Sequence, residues 1–265
     1  MSKDFKNYGG NDRIVNSHDY YEAVGKLPEE KRYMTGLHAF DKYTEGFTNG
    51  ELITVSGYTG YGKTSFCQTI AYNLGKQGVK SLWFSFELSA RQFFNKYKGK
   101  EVPLFYMPRE NKPYDLSWIE DRIIECKQKF GLTIAFIDHL HYIVPMTAND
   151  RKMNELVGET MRYLKHEIAV KHEVAIVLMA HTKQPKDMSE PTLADLRDSS
   201  FVAQESDAVY LMHRPTKRGS KEFEDYGTVT VVKQRNTGVI GGTLKLTMHN
   251  KMFFDYMSHE DERAL

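Results

Sequence analysis

Cysteine is nearly absent from this chain: among 265 residues only Cys67 and Cys126 carry a thiol. They are far apart and form no CxxC pair, which excludes a disulfide framework and argues against a cysteine zinc site. Both are expected to be small buried hydrophobes. Excess charge is missing as well. Lys and Arg number 36 against 35 Asp and Glu, a net +1, so any binding of nucleic acid has to rest on locally gathered cations. Long hydrophobic runs are lacking: the longest, Val174 to Ala180, is far too short to span a bilayer. The polar start, Met-Ser-Lys-Asp-Phe-Lys-Asn-Tyr-Gly-Gly, has no apolar stretch of signal-peptide length. The expected setting is cytoplasmic, with no membrane partner.

What is present is an ordered alternation of patterns. Residues 1–16 read as a polar tail, and Ser17 as the cap of a short helix running to about Gly25 with Tyr20, Tyr21 and Val24. Such a helix is marginal unless it docks on something. Apolar runs at Leu52–Ser56, Ser81–Phe86, Thr133–Ile137, Val174–Met179 and Ala208–Met212 read as strands. Helices are expected over Lys63 to Gly75, from Ser89 (with Gln92 at capping-box spacing), around 117–129, and over 152–170. In the last, Met153, Leu156, Val157, Met161, Leu164 and Ile168 share one face. Repeated βα units predict an α/β fold with a mostly parallel central sheet flanked by helices. Thr228–Val232 and Thr243–Met248 alternate around Asn236-Thr237-Gly238 and Gly241-Gly242, which predicts a C-terminal antiparallel hairpin. The economical organisation is a tail and helix over 1–33, one domain over 34–256, and a tail over 257–265.

The strongest local signal is Gly57-Tyr58-Thr59-Gly60-Tyr61-Gly62-Lys63-Thr64, followed by Ser65. It meets the pattern G-x-x-x-x-G-K-[ST] between a strand and a helix, as a phosphate-binding loop requires. The glycines let successive backbone N–H groups turn inward around phosphate oxygens, and the helix N-terminus adds partial positive charge. Lys63 offers a point charge to the terminal phosphates, and the Thr64 hydroxyl suits a magnesium ion. The chain therefore reads as a P-loop nucleoside triphosphatase.

Asp138 ends its strand where such folds hold magnesium water; taken alone it could equally cap a turn. His139 follows it rather than a glutamate, so the water-activating base has to come from elsewhere. Glu87 is the candidate, on the expectation that the strand Ser81–Phe86 lies beside the loop strand and opens on the same crevice. The other reading is an acid favoured by the dipole of the helix capped at Ser89. His181, at the end of Val174–Met179, is either a γ-phosphate sensor or a satisfied structural histidine.

Taken together, the loop, Phe84-Ser85-Phe86-Glu87, Ile137-Asp138-His139-Leu140, Leu193-Ala194-Asp195-Leu196-Arg197-Asp198-Ser199-Ser200 and Lys233-Gln234-Arg235-Asn236 resemble the RecA-like motor domain of DnaB-type replicative helicases. Ile137-Asp138-His139-Leu140, Arg151-Lys152-Met153 and Ala180-His181 look nearest to the phage primase-helicase and mitochondrial Twinkle branch. The resemblance covers about 34–256. It implies ATP and Mg2+ as ligands, with Lys63 and Thr64 on nucleotide and magnesium, Asp138 in the magnesium shell, Glu87 as base and His181 as sensor. It implies that Lys233 and Arg235 reach a neighbouring subunit's γ-phosphate, although a solvated hairpin rim reads the same way. Single-stranded DNA would be held by Arg197, Asp198 and Ser200 and by Arg151, Lys152, Lys183 and Lys186, in loops at about 145–152 and 183–200. Ser199-Ser200 departs from the frequent Ser-Gly ending, which alters the turn available there. The resemblance further implies a homo-oligomeric, hexameric ring, with a primase or helicase loader as partner. The resemblance also makes the helix near 18–25 a linker helix and the whole a minimal motor without collar or primase domain. Two rivals stay open: a RecA- or KaiC-like DNA-dependent ATPase without unwinding, and a nucleotide-binding replication accessory.

Overall fold

Alternating side chains of the central strands divide the interior into two cores. The computed structural model describes residues 9, 10, 13–145, 150–182, 189–196, 199–217, 220 and 222–256, with only the backbone of residues 150, 151 and 199. It separates into two compact units, residues 1–31 and 32–265. In the first, α1 spans Ser17–Gly25 and buries none of its residues. Its cap is Asn16, whose side chain accepts from the Asp19 N–H, rather than the expected Ser17. Asparagine one residue earlier satisfies the same orphan donor and shifts the start of the cap.

The second unit begins with a two-stranded antiparallel ribbon, β1 (Arg32–Tyr33) with β2 (Phe47–Thr48), around α2 (His38–Thr44). Then follow β3 (Leu52–Gly57), α3 (Lys63–Lys76), β4 (Ser81–Ser85), α4 (Ala90–Phe94), α5 (Leu116–Phe130) and β5 (Ile134–Asp138). Next come α6 (Asp150–Arg162), β6 (Ala175–His181), α7 (Ser199–Glu205) and β7 (Ala208–His213). Three further strands end it: β8 (Tyr226–Gln234), β9 (Thr243–His249) and β10 (Met252–Asp255). Helix α6 runs on as a π-helical segment, Tyr163–Val170, that keeps Leu164 and Ile168 buried.

Eight strands form one sheet in the order β10-β9-β8-β7-β3-β6-β5-β4. β4, β5, β6, β3 and β7 run parallel, and β7-β8-β9-β10 pair antiparallel. The expected hairpin is therefore β8-β9, extended by β10. The expectation that the strand before Glu87 adjoins the loop strand is overturned: β6 and β5 stand between β3 and β4. Parallel crossovers fix handedness but not adjacency, so neighbours along the chain need not be neighbours in the sheet.

Ile53, Val55, Phe136, Val177 and Met179 face one core with Phe66, Ile70 and Leu74 of α3. Leu52, Ala135, Ile137, Ile176 and Leu178 face the other with Trp118, Ile119 and Ile123 of α5. Burial on both faces explains why these strands are continuous apolar runs. Cys67 and Cys126 are buried free thiols, one in each core.

Candidate functional site

At the carboxyl edge of β3 the chain leaves the sheet through the glycine loop. Gly57 (φ 152°) lies so close to β7 that an added Cβ would stand 2.5 Å from the Met212 carbonyl oxygen. Gly62 (φ 93°) precedes α3 directly, where a Cβ would press at 3.0 Å on the Phe253 ring of β10. A side chain at either place would force the loop out of the turn that aims its amides inward.

A cavity of about 190 Å³ opens over this loop, lined by Thr59, Gly60, Gly62, Lys63, Thr64, Ser65, Glu87, Lys96 and His181. The Lys63 ammonium donates to the Gly57 carbonyl (2.9 Å) and the Tyr58 carbonyl (3.3 Å) and lies 2.9 Å from His181 Nδ1. Burial pulls its pKa down to about 8, against the opposing pull of Asp138 and Glu87. The Thr64 hydroxyl donates to Asp138 Oδ2 at 3.1 Å. Asp138 is buried, and that burial, with the Glu87 charge second, pushes its pKa up to about 6. Two hard oxygen donors, a hydroxyl and a carboxylate, thus meet beside inward-turned amides. This donor set fits Mg2+ on a nucleotide phosphate.

Glu87 reaches this cavity although two strands separate β4 from β3. The step is made by β5: His139, following Asp138, brings Nε2 to 4.0 Å from Glu87 Oε2 and packs edge-on at 4.2 Å against the His181 ring. Glu87, His139 and His181 hold donor atoms within 4.8 Å of one another. Metal-bound imidazoles donate their other N–H outward. Here His139 Nδ1 accepts from the His141 N–H at 3.4 Å, and His181 Nδ1 faces an ammonium. The trio is therefore set for hydrogen bonding rather than for a transition metal.

Some expected residues fall elsewhere. Tyr61 turns away from the cavity: its ring is buried against Tyr58, His213 and Phe223, so only its backbone serves the loop. Lys183, Lys186, Arg197 and Asp198 lie outside the described residues, as does the side chain of Arg151, while Lys152 and Ser200 are exposed.

Lys233 and Arg235 stand at the opposite edge of the sheet. Gln234 pairs with Ala208, which pairs with Ile53, whereas the loop begins at Gly57, beside Met212. There the Lys233 ammonium donates to the Ala203 carbonyl (2.6 Å) and the Gln204 carbonyl (3.1 Å). The Arg235 guanidinium donates to Asp207 Oδ1 (3.1 Å) and the Gln204 carbonyl (2.8 Å). Both cations thus satisfy orphan carbonyls at the end of α7. Asp207 also accepts from the Leu52 N–H (2.8 Å) and from Lys165 (2.6 Å), so Arg235 is not its only partner.

Lys96 was not among the residues marked by sequence. The capping box at Ser89 predicts a helix, and Lys96 sits two residues past its end, in the turn Asn95–Tyr97; no spacing rule ties it to the loop.

The chain matches the DnaB-like helicase C terminal domain family over residues 33–105 and 100–255. It is 26% identical over 246 residues to the replicative DNA helicase DnaB of Treponema pallidum, covering 80% of this chain and 53% of that protein. It is 26% identical over 277 residues to that of Geobacillus stearothermophilus, covering 91% and 60%. The chain thus spans little more than half the length of these relatives. Among solved structures it resembles a DnaB-like replicative helicase described with its interactions with primase (TM-score 0.74, 19% identity, 91% of this chain and 67% of that one). A KaiC-like protein of Pyrococcus horikoshii is similar in fold (TM-score 0.62, 18% identity, 86% and 100%). The chain belongs to the DnaB-like helicase C-terminal domain family.

Proposed function

We propose that this chain is the ATP-hydrolysing motor of a ring-forming replicative DNA helicase, moving along single-stranded DNA. The observation that carries the reading is the division of charged groups between two edges of one sheet. Lys63, Thr64, Glu87, Asp138 and His181 gather at the carboxyl edge, and Lys233 and Arg235 at the amino edge. A complete hydrolytic set then requires two copies arranged head to tail, which closes into a ring when the rotation allows.

In this reading the loop amides and Lys63 hold the phosphates of ATP, while Thr64 and Asp138 hold Mg2+, which when bound neutralises phosphate charge. Glu87 accepts the proton of the attacking water, and His139 beside it keeps the carboxylate facing the cavity. His181 contacts both Lys63 and His139, so loss of the terminal phosphate is felt where β6 ends and the chain leads toward the segment 183–200. Arg235 of a neighbouring copy stabilises transition-state charge. Contacts to single-stranded DNA are assigned to Arg197, Asp198, Ser200, Arg151, Lys152, Lys183 and Lys186. A hexameric ring, a primase or loader partner and a cytoplasmic setting belong to the same proposal; the primase is supported by the solved relative described with its interactions with primase. No helix among the described residues is long and apolar enough to cross a membrane. The exposed Tyr20, Tyr21 and Val24 on α1 suit a linker helix that docks on a neighbour.

ATP hydrolysis with and without single-stranded DNA, together with unwinding of a forked duplex, tests the proposal. DNA-stimulated turnover and strand separation are expected. Stimulated turnover without unwinding would favour the second reading, a KaiC- or RecA-like ATPase, to which the fold similarity also points. Turnover indifferent to DNA would remove the motor.

A further inference from the structure

A partly buried ammonium with no carboxylate beside it stands in the wall of the phosphate cavity. Lys96 lines that cavity with Thr64 and Ser65. Its Nζ donates to Ser65 Oγ at 3.2 Å. Among the described residues no Asp or Glu oxygen lies within ion-pair distance of it. Charges withdrawn from water are normally paired, because the desolvation cost is otherwise uncompensated. Burial lowers the pKa of Lys96; the charges of Asp138 and, less strongly, Glu87 oppose that from beyond ion-pair distance, and Lys251 adds a like charge.

The backbone holds Lys96 in place. It lies in the turn Asn95–Tyr97 after α4, between Phe93 and Tyr97, both buried. Gln68 of α3 ties this turn down: its Nε2 donates to the Phe93 carbonyl (3.3 Å), and its own carbonyl accepts from the Tyr97 hydroxyl (3.5 Å). A long cationic side chain fixed at its root, aimed at the start of α3 and with no carboxylate within ion-pair distance, suits an anion.

We propose that Lys96 is a nucleotide-binding residue whose ammonium takes a phosphate oxygen shared by nucleoside di- and triphosphates. The location separates its part from that of Lys63. Both lysines lie in the field of Asp138 and Glu87, but Lys63 meets His181, the residue assigned to sensing the terminal phosphate, whereas Lys96 meets Ser65 at the helix start. Lys96 therefore strengthens binding of the diphosphate portion common to substrate and product. The inference rests on the reading of the glycine loop as a nucleotide site.

The test measures binding of fluorescent ADP and ATP to the full chain, wild type beside Lys96→Ala, Lys96→Arg and Lys63→Ala. Lys96→Ala is expected to weaken ADP and ATP by a similar factor, about tenfold, as loss of one charge-assisted bond does. Lys96→Arg restores most of it, and the KM for ATP rises in step with the affinity loss. Because Lys96 is only partly buried and forms no ion pair, the unliganded melting temperature of Lys96→Ala is expected to stay level, which separates lost binding from misfolding. Unchanged ADP binding in Lys96→Ala, or a loss confined to ATP, overturns the proposal while Lys63→Ala still shows the loop at work. If wild type and Lys63→Ala bind nucleotide alike, the loop reading itself fails instead.

Discussion

Removing the arginine at the amino edge offers a direct test of how the two edges cooperate. In one chain, Ala208 to Met212 separates the start of β7 from the level of Gly57. Four steps of about 3.3 Å make roughly 13 Å before the cavity is reached, and the Arg235 guanidinium is directed instead at Asp207 and the end of α7. Arg235 therefore cannot serve its own loop. An arginine supplied in trans is worth about 10³–10⁵ in turnover in related phosphoryl-transfer systems, so Arg235→Ala should lose on the order of a thousandfold in kcat while binding ATP normally. Lys63→Ala should be equally inactive for the opposite reason, since it lacks the loop charge. In a one-to-one mixture, half of the loops are intact and half of those meet an intact arginine. About a quarter of the head-to-tail interfaces then regain both parts. Steady-state hydrolysis without DNA, where sites act independently, should rise in the mixture to roughly that fraction of wild type. An Arg235→Ala protein that turns over at the wild-type rate, or a mixture as inactive as its components, refutes the reasoning.

Other consequences are simpler to read. Glu87→Gln should bind ATP with wild-type affinity and lose about 10²–10⁴-fold in kcat; near-normal single-turnover hydrolysis would take Glu87 out of the role. Asp138 has a folded-state pKa of about 6 against an ordinary 3.8. Folding therefore favours its neutral form, and the associated stability is present below about pH 4 and lost as pH rises through about 6. Asp138→Asn should raise the melting temperature of the unliganded protein at pH 7, by up to about 3 kcal/mol of stability, and remove the decline between pH 4 and 6, while magnesium-dependent turnover collapses. A lower melting temperature at pH 7 would contradict this. Lys63, held at about 8, should lose its charge as pH rises through that value, so nucleotide affinity falls there. The profile for Lys63→Arg should stay flat, because guanidinium keeps its proton; parallel titration curves for both proteins would argue against Lys63 as the controlling group.

Much of this molecule is determined locally. The loop from Gly57 to Thr64 needs glycine where φ is positive, lysine for charge and threonine for a hydroxyl, and these demands act within eight consecutive positions, so they were legible in sequence. The same holds for the strand runs, whose burial on both faces requires unbroken apolar residues, and for the Ser89–Gln92 cap. Sequence also placed Asp138 and Glu87 at strand ends. It gave the wrong reason for their meeting, since it set β4 beside β3.

Strand order is decided by which apolar faces fill which core, a comparison across the whole chain that no short window contains. The bridge through His139, the inward turn of Tyr61 and the docking of Lys233 and Arg235 on α7 arise from packing between elements far apart in sequence. Lys96 is the clearest case. As a letter it is one lysine among many. It becomes a charge in a phosphate cavity only because Phe93 and Tyr97 bury their rings and Gln68 ties their turn to α3. Local chemistry fixed what the site is made of, and long-range packing fixed which groups share it.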